Sequence, residues 1–295
     1  MSDKPVMKLL LPLLLLMALP LFAAPPADRV YKADLHQSTW EASGNGVLQC
    51  RLTHEIPLFG KAVFYRDSGR PLRLRIDAWQ NYPKGMDVVF RSVSAEWKDR
   101  ATEAELARLK TLGGGQPMLR VDAEAARRAW YELQQGFQPT FSFIDEADGG
   151  NSVAIVLSTV RFRDGEQAFN TCVGKLYPYN FEDVKRALVF FGFDEEFPPE
   201  GEEERALKKL LDYIKVDPSV KVIRVIGHAD EKGSSCYNDN LSKRRAQYIY
   251  DWLVLSGMDP GMLRLDYRGE REPRVRGRGE KARAANRRVE VLLER

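Results

Sequence analysis

The spacing of apolar side chains changes period part-way along this 295-residue chain, and that change constrains the fold more than any other feature. From Val47 to about Phe169 the reading is mostly strand. Leu72, Leu74 and Ile76 alternate with Arg73 and Arg75, and the turn Asp67-Ser68-Gly69-Arg70-Pro71 separates them from the run Lys61 to Arg66, as a hairpin with one wet face requires. Met86 to Val93, Thr140 to Ile144 and Val153 to Phe162 read as further strands. Two helices interrupt them. One runs from Asp122 to about Gln135, with Ala125, Ala129 and Leu133 four apart and Gly136 as its stop; a shorter one from Glu166 to Leu176 carries Cys172.

Past the polar stretch Tyr177 to Asp183, strands and helices alternate. A strand near Leu188 to Phe193 precedes a helix from about Glu202 to Lys215, striped by Leu207, Leu210, Leu211 and Ile214. Val220 to Ile226 reads as a buried strand, Ser242 to Ser256 as a helix, and the segments around Leu263 to Tyr267 and Val289 to Leu293 as alternating strands. The expectation is two domains: a β-rich one with a few helices over residues 24–180, and a two-layer α+β one of order β-α-β-α-β-β over 181–295.

The first residues bear on compartment. Lys4 and Lys8 precede an apolar run, Leu9 to Phe22, closed by Ala23-Ala24. That run is about 14 residues, short of the roughly 20 a spanning helix needs, so residues 1–23 are expected to form a cleaved export leader rather than an anchor. The net charge of +3 loses one positive charge with the leader, too little to argue for nucleic acid. No later run is long and apolar enough to span a bilayer, so the mature chain is expected not to be transmembrane. Three cysteines, Cys50, Cys172 and Cys236, fit one disulfide and one leftover thiol in an oxidising space. Sequence alone does not choose the pair, and three free thiols stay open; the domain boundary groups Cys50 with Cys172.

The chemistry-bearing stretch is Gly227-His228-Ala229-Asp230, then Gly233, Tyr237-Asn238, Leu241-Ser242 and Arg245-Ala246, and much later Arg283 to Glu290. Asp230 leaves the end of a buried strand, and Arg245 lies on the next helix. A carboxylate and a guanidinium placed there suit a zwitterion, whose ammonium meets the acid while its carboxylate takes two parallel bonds from the arginine. The plainer alternative is an Asp230–Arg245 ion pair that ties loop to helix, with Asn238 a turn residue and Gly233 a positive-φ position.

These motifs, in this order, resemble the OmpA-like module over about 110 residues, ending in Arg283-Ala284-Ala285-Asn286-Arg287-Arg288-Val289-Glu290. The resemblance implies that Asp230 and Arg245 bind the diaminopimelate residue of peptidoglycan, with Asn238, Leu241 and Gly233 lining the groove and Arg287 and Arg288 as weaker candidates. It also implies that Asp230→Ala or Arg245→Ala weakens wall binding with the fold intact. The chain departs from the module just after Phe191-Gly192-Phe193-Asp194, where Glu195-Glu196 stand in place of the usual polar Ser or Asn and add negative charge; Cys236 falls in the binding loop, where a bulky adduct would block the groove; and Arg271 to Arg278 is unusually rich in arginine.

Upstream, Gln37-Ser38-x-Trp40, Leu48-x-Cys50-x-Leu52-x-His54-x-Ile56-Pro57, Phe59-Gly60-x-Ala62-Val63-Phe64, Pro139-Thr140-Phe141-Ser142, Phe169 to Cys172 and Phe181-Glu182-Asp183 resemble the MotY family of flagellar motor proteins. That resemblance implies a Cys50–Cys172 disulfide and a periplasmic scaffold at the basal body that helps assemble or anchor stator units. Its partners would be peptidoglycan, basal-body and stator proteins, and itself or a MotX-like protein in a ring. A general envelope tether of the OmpA family is the competing reading. An enzyme is not expected: His36, His54 and His228 have no nucleophile or metal-ligand spacing around them, and no cofactor or metal is implied.

Overall fold

The computed structural model describes residues 27–98, 102–114 and 116–295; the expected leader, 1–23, lies outside them. Two apolar cores organise the chain, one built from residues up to Phe169 and the other from Val184 to Leu293.

Two five-stranded sheets share the first core. One has the order β1 (Arg29–Lys32), β10 (Asn151–Val156), β9 (Phe137–Asp145), β6 (Asp87–Ser94), β7 (Glu103–Lys110). The other runs β2 (Glu41–Gly44), β3 (Gln49–Ile56), β4 (Gly60–Asp67), β5 (Arg73–Ala78), β8 (Leu119–Val121). The expected hairpin is β4 and β5, with Leu74 and Ile76 fully buried. Along β3 the inward positions are Cys50, Leu52, His54 and Ile56, so the two-residue period carries a histidine into the core. His54 stacks on Trp40 at 4.5 Å, its Nδ1 donates to Thr39 O at 2.8 Å, and its Nε2 accepts from Ser158 N at 3.4 Å. Burial pushes its pKa down to about 4, so the ring is a neutral core residue at pH 7.

Two helices pack on these sheets: α1 (Ala123–Gln134), capped by the Asp122 side chain, and α2 (Phe162–Val173). The second differs from expectation, since the chain leaves the sheet at Val156 and Phe162 opens the helix. A Cys50–Cys172 disulfide ties α2 to β3 across 122 residues of sequence.

A short capped helix, α3 (Phe181–Val184), leads into the second domain. Its sheet has the order β11 (Arg186–Phe190), β14 (Arg288–Glu294), β12 (Val222–Gly227), β13 (Leu263–Tyr267), with β12 and β13 parallel. Helices α4 (Glu202–Ile214) and α5 (Ser235–Leu255) complete two layers, and α6 (Glu280–Asn286), a short helix not expected from the sequence, sits between β13 and β14. On α4 the fully buried positions are Leu207, Leu210 and Tyr213, with Leu211 and Ile214 partly covered.

The domains meet at a packed neck. Tyr177 N donates to Val47 O at 2.7 Å, Arg70 donates to the Asn180 side chain at 3.1 Å, and Leu48 packs against the second core. Arg70 also pairs with Asp183 at 3.7 Å, while within the second domain Arg295 reaches Asp217 at 2.7 Å and lies 4.1 Å from the Phe181 ring centroid. Among the described residues, no helix is long and apolar enough to cross a membrane.

Candidate functional site

The strand β12 is apolar to its end, and Gly227 is the residue over which α5 crosses. A Cβ there would lie 1.9 Å from Ser242 O and 3.1 Å from the Ala246 Cβ, so only glycine admits the helix so close. The Ser242 hydroxyl, fully buried, donates to Asp239 O at 2.9 Å and accepts from Gly269 N at 3.1 Å, fixing the loop after β13 against the helix. α5 starts at Ser235, with Ser234 as its cap, a full two turns before Ser242; Tyr237 and Asn238 are therefore first-turn helical residues rather than loop.

This crossing opens a cleft of about 380 Å³ lined by Phe193, Asp194, Ala229, Asp230, Lys232, Gly233, Tyr237, Asn238, Leu241, Arg245 and Arg287. All five principal candidates, Asp230, Arg245, Asn238, Leu241 and Gly233, meet here. Asp230 is 4% exposed; its Oδ1 accepts from Lys232 N at 3.0 Å and its Oδ2 from Arg287 Nη1 at 3.0 Å. Its ion-pair partner is thus Arg287 and not Arg245, contrary to the plainer sequence reading. Arg287 also donates to Glu280 at 2.7 Å and to Phe191 O at 3.3 Å. Burial works against its charge, but the bonds to Glu280 and Asp230 outweigh it and hold its pKa above the ordinary value.

Arg245 is fully buried along one wall. It donates to Glu195 O at 2.7 Å, Gly192 O at 2.9 Å and His228 O at 3.4 Å, with its guanidinium 5.1 Å from the Phe191 ring centroid. Burial pushes its pKa down to about 10, with Asp230 opposing the drop, so it stays charged at neutral pH. The Glu195 backbone serves Arg245, while Glu196 pairs outward with Arg244, so the acidic departure from the family pattern does not fill the cleft. Asn238, 1% exposed, donates to Glu270.

Arg288 does not line this cleft. Neighbouring residues on a strand face opposite ways, and Arg288 bonds Glu290 at 2.7 Å on the other side. Beside it, His228 is buried, its pKa pushed down to about 4 by burial and by the Arg288 charge. Cys236 is exposed on the first turn of α5, beside the lining residue Tyr237, and its own side chain does not line the cleft. In the arginine-rich loop, Arg271 pairs with Asp239 at 2.9 Å, and no residue between 271 and 278 lines the cleft.

Sequence reasoning did not name Phe193, Asp194, Lys232 and Tyr237 as site residues. The last two lie inside the Gly227 to Ala246 motif, and Asp194, whose carboxylate accepts from the Tyr237 hydroxyl, ends the Phe-x-Phe-Asp segment just before the acidic departure.

Residues 31–178 match the family model described as the MotY N-terminal domain, and residues 197–287 match that of the OmpA family. The chain belongs to the MotY family. This MotY-family chain is 26% identical over 272 residues to the sodium-type flagellar protein MotY of Vibrio parahaemolyticus, covering 90% of each chain. Its OmpA-family domain is similar to the peptidoglycan-associated lipoprotein of Haemophilus influenzae, at 35% identity over 113 residues, 38% of this chain and 72% of that protein. Among solved structures, the peptidoglycan-associated lipoprotein from Burkholderia pseudomallei aligns at 28% identity over 37% of this chain and 90% of that one, with a TM-score of 0.34.

Proposed function

We propose that this protein is a periplasmic scaffold of the flagellar motor that grips peptidoglycan through the OmpA-family cleft and docks through its first domain on the basal body, where it helps assemble or anchor stator units. The observation that carries the wall-binding half is the pairing of a buried acid and a buried base in one cleft. Asp230 uses two of roughly four acceptor positions, and Arg245 uses three of its five N–H groups, so each keeps capacity for a ligand. A zwitterionic centre such as that of diaminopimelate fits this arrangement: its ammonium meets Asp230 and its carboxylate takes the remaining N–H groups of Arg245. Leu241 supplies an apolar wall, and Asn238 and Gly233 shape the floor beside it.

The motor half rests on the first domain, whose match to the MotY family spans residues 31–178. In this reading its partners are basal-body and stator proteins, with a second copy or a MotX-like protein as ring neighbours. Two measurements test the proposal. The purified protein is expected to co-sediment with isolated sacculi, and a strain lacking it is expected to build filaments but swim poorly. Failure to co-sediment overturns the wall-binding half. Normal swimming overturns the motor half and leaves a general envelope tether.

A further inference from the structure

The cleft holds three cations in unequal states. Arg287 is charge-paired with both Asp230 and Glu280 and also bonds a backbone carbonyl. Arg245 lies deep, with three of its N–H groups on carbonyls. Lys232 stands at the mouth. Its backbone N–H caps Asp230, Gly233 turns the chain at φ 112°, and the ammonium lies 4.4 Å from the centroid of the exposed Phe193 ring. Among the described residues, no carboxylate stands within ion-pair distance of it; Glu280, already bonded to Arg287, feels its charge from farther off.

These states rank the cations by what a ligand must displace. Taking Arg287 from Asp230 breaks a buried pair, which is strongly unfavourable, whereas lifting Lys232 from an exposed ring is cheap. A ligand carboxylate near the mouth therefore meets Lys232 first. We infer that Lys232 is a specificity-determining residue that takes a second carboxylate of the ligand, beyond the zwitterionic centre held by Asp230 and Arg245, so that the cleft favours stem peptides whose terminal carboxylate is free. This rests on the wall-binding reading above. The ligand class is a peptide ending in a diamino dicarboxylic acid, with one centre zwitterionic and the carboxylate of the other unblocked.

The test is isothermal titration of the full chain with two probes: a stem tripeptide ending in diaminopimelate, and the same tripeptide with its terminal carboxylate converted to a carboxamide. The wild type is expected to bind the free acid about two- to five-fold more tightly, the range of an exposed ion pair, with the preference shrinking as salt rises. Lys232→Met should bind both probes equally, near the wild-type affinity for the amide, and Lys232→Arg should keep the preference. Lys232 is exposed and outside both cores, so these variants are expected to fold. Equal binding of both probes by the wild type, or an undiminished preference in Lys232→Met, overturns the inference and leaves the wall-binding reading standing. Binding of neither probe by the wild type overturns both.

Discussion

Removing the Cys50–Cys172 bond, by Cys50→Ser or by reduction, tests how much of the first domain's stability comes from chain closure. The bond spans 122 residues and joins Cα atoms 6.0 Å apart. Opening a loop of that length returns about 5 kcal/mol of entropy to the unfolded chain in the loop-closure model. Domains are stable by about 5 to 15 kcal/mol, so the loss takes a third or more of what holds this one folded. Four of the five tryptophans, Trp40, Trp79, Trp97 and Trp130, lie in the first domain, so intrinsic fluorescence reports mainly on it. In urea, with a slope of about 2 to 3 kcal/mol per molar, the midpoint should fall by about 2 M, and the melting temperature by about 10 to 20 °C. A midpoint shift under about 0.5 M would refute the reasoning, since it would mean that β3 and α2 stay together in the denatured chain without the bond.

Asp230→Ala should remove sacculus binding and also cost the second domain about 3 kcal/mol, because Arg287 is left 8% exposed with Glu280 as its sole carboxylate among the described residues; an unchanged denaturation midpoint would contradict this. The fold is therefore not expected to be indifferent to the substitution, as the family resemblance alone implied. Gly227→Ala drives a Cβ into the Ser242 carbonyl and should cost about 3 kcal/mol, measurable by urea titration, with a wild-type midpoint refuting the close crossing of α5 over β12. His54 and His228 are held neutral, with pKa values near 4 against 6.5, so the unfolded chain takes up their protons first. Stability should be complete above pH 6.5 and fall by about 3 kcal/mol per histidine as the pH drops to 4; a flat midpoint between pH 7 and 4.5 would contradict both burials. Cys236→Ser should leave sacculus binding unchanged in co-sedimentation, and lost binding would place that side chain back in the groove.

The sequence was most legible where one side chain type repeats at one period. The β4–β5 hairpin, α1 and the stripe of α4 follow from that alone. β7 escaped notice because Glu103-Ala104-Glu105-Leu106-Ala107 is built from helix-forming residues on an outer strand with one wet face, where pairing to β6 overrides propensity. The start of α5 was misplaced by seven residues since Gly233, Ser234, Ser235, Asn238 and Asp239 favour turns in isolation; the Ser234 cap and the Gly227 crossing hold the first turn helical. In the cleft, the sequence already placed Asp230 and Arg245 around one pocket. It did not show their true partners, because Arg287 comes from 57 residues downstream and Gly192 and Glu195 from about 50 upstream, and only the β11-β14-β12 order brings those segments side by side.

The neck has a mechanical meaning. A loose linker carries tension and nothing else, leaving its two ends free to wander. Here Leu48 packs against the second core, and Arg70 holds Asn180 and Asp183, so the joint also resists bending and twist. The cleft then sits at a fixed distance and heading from the first domain, as the end of a bracket does from its wall plate. A sideways pull at one end arrives at the other as a turning moment rather than as slack.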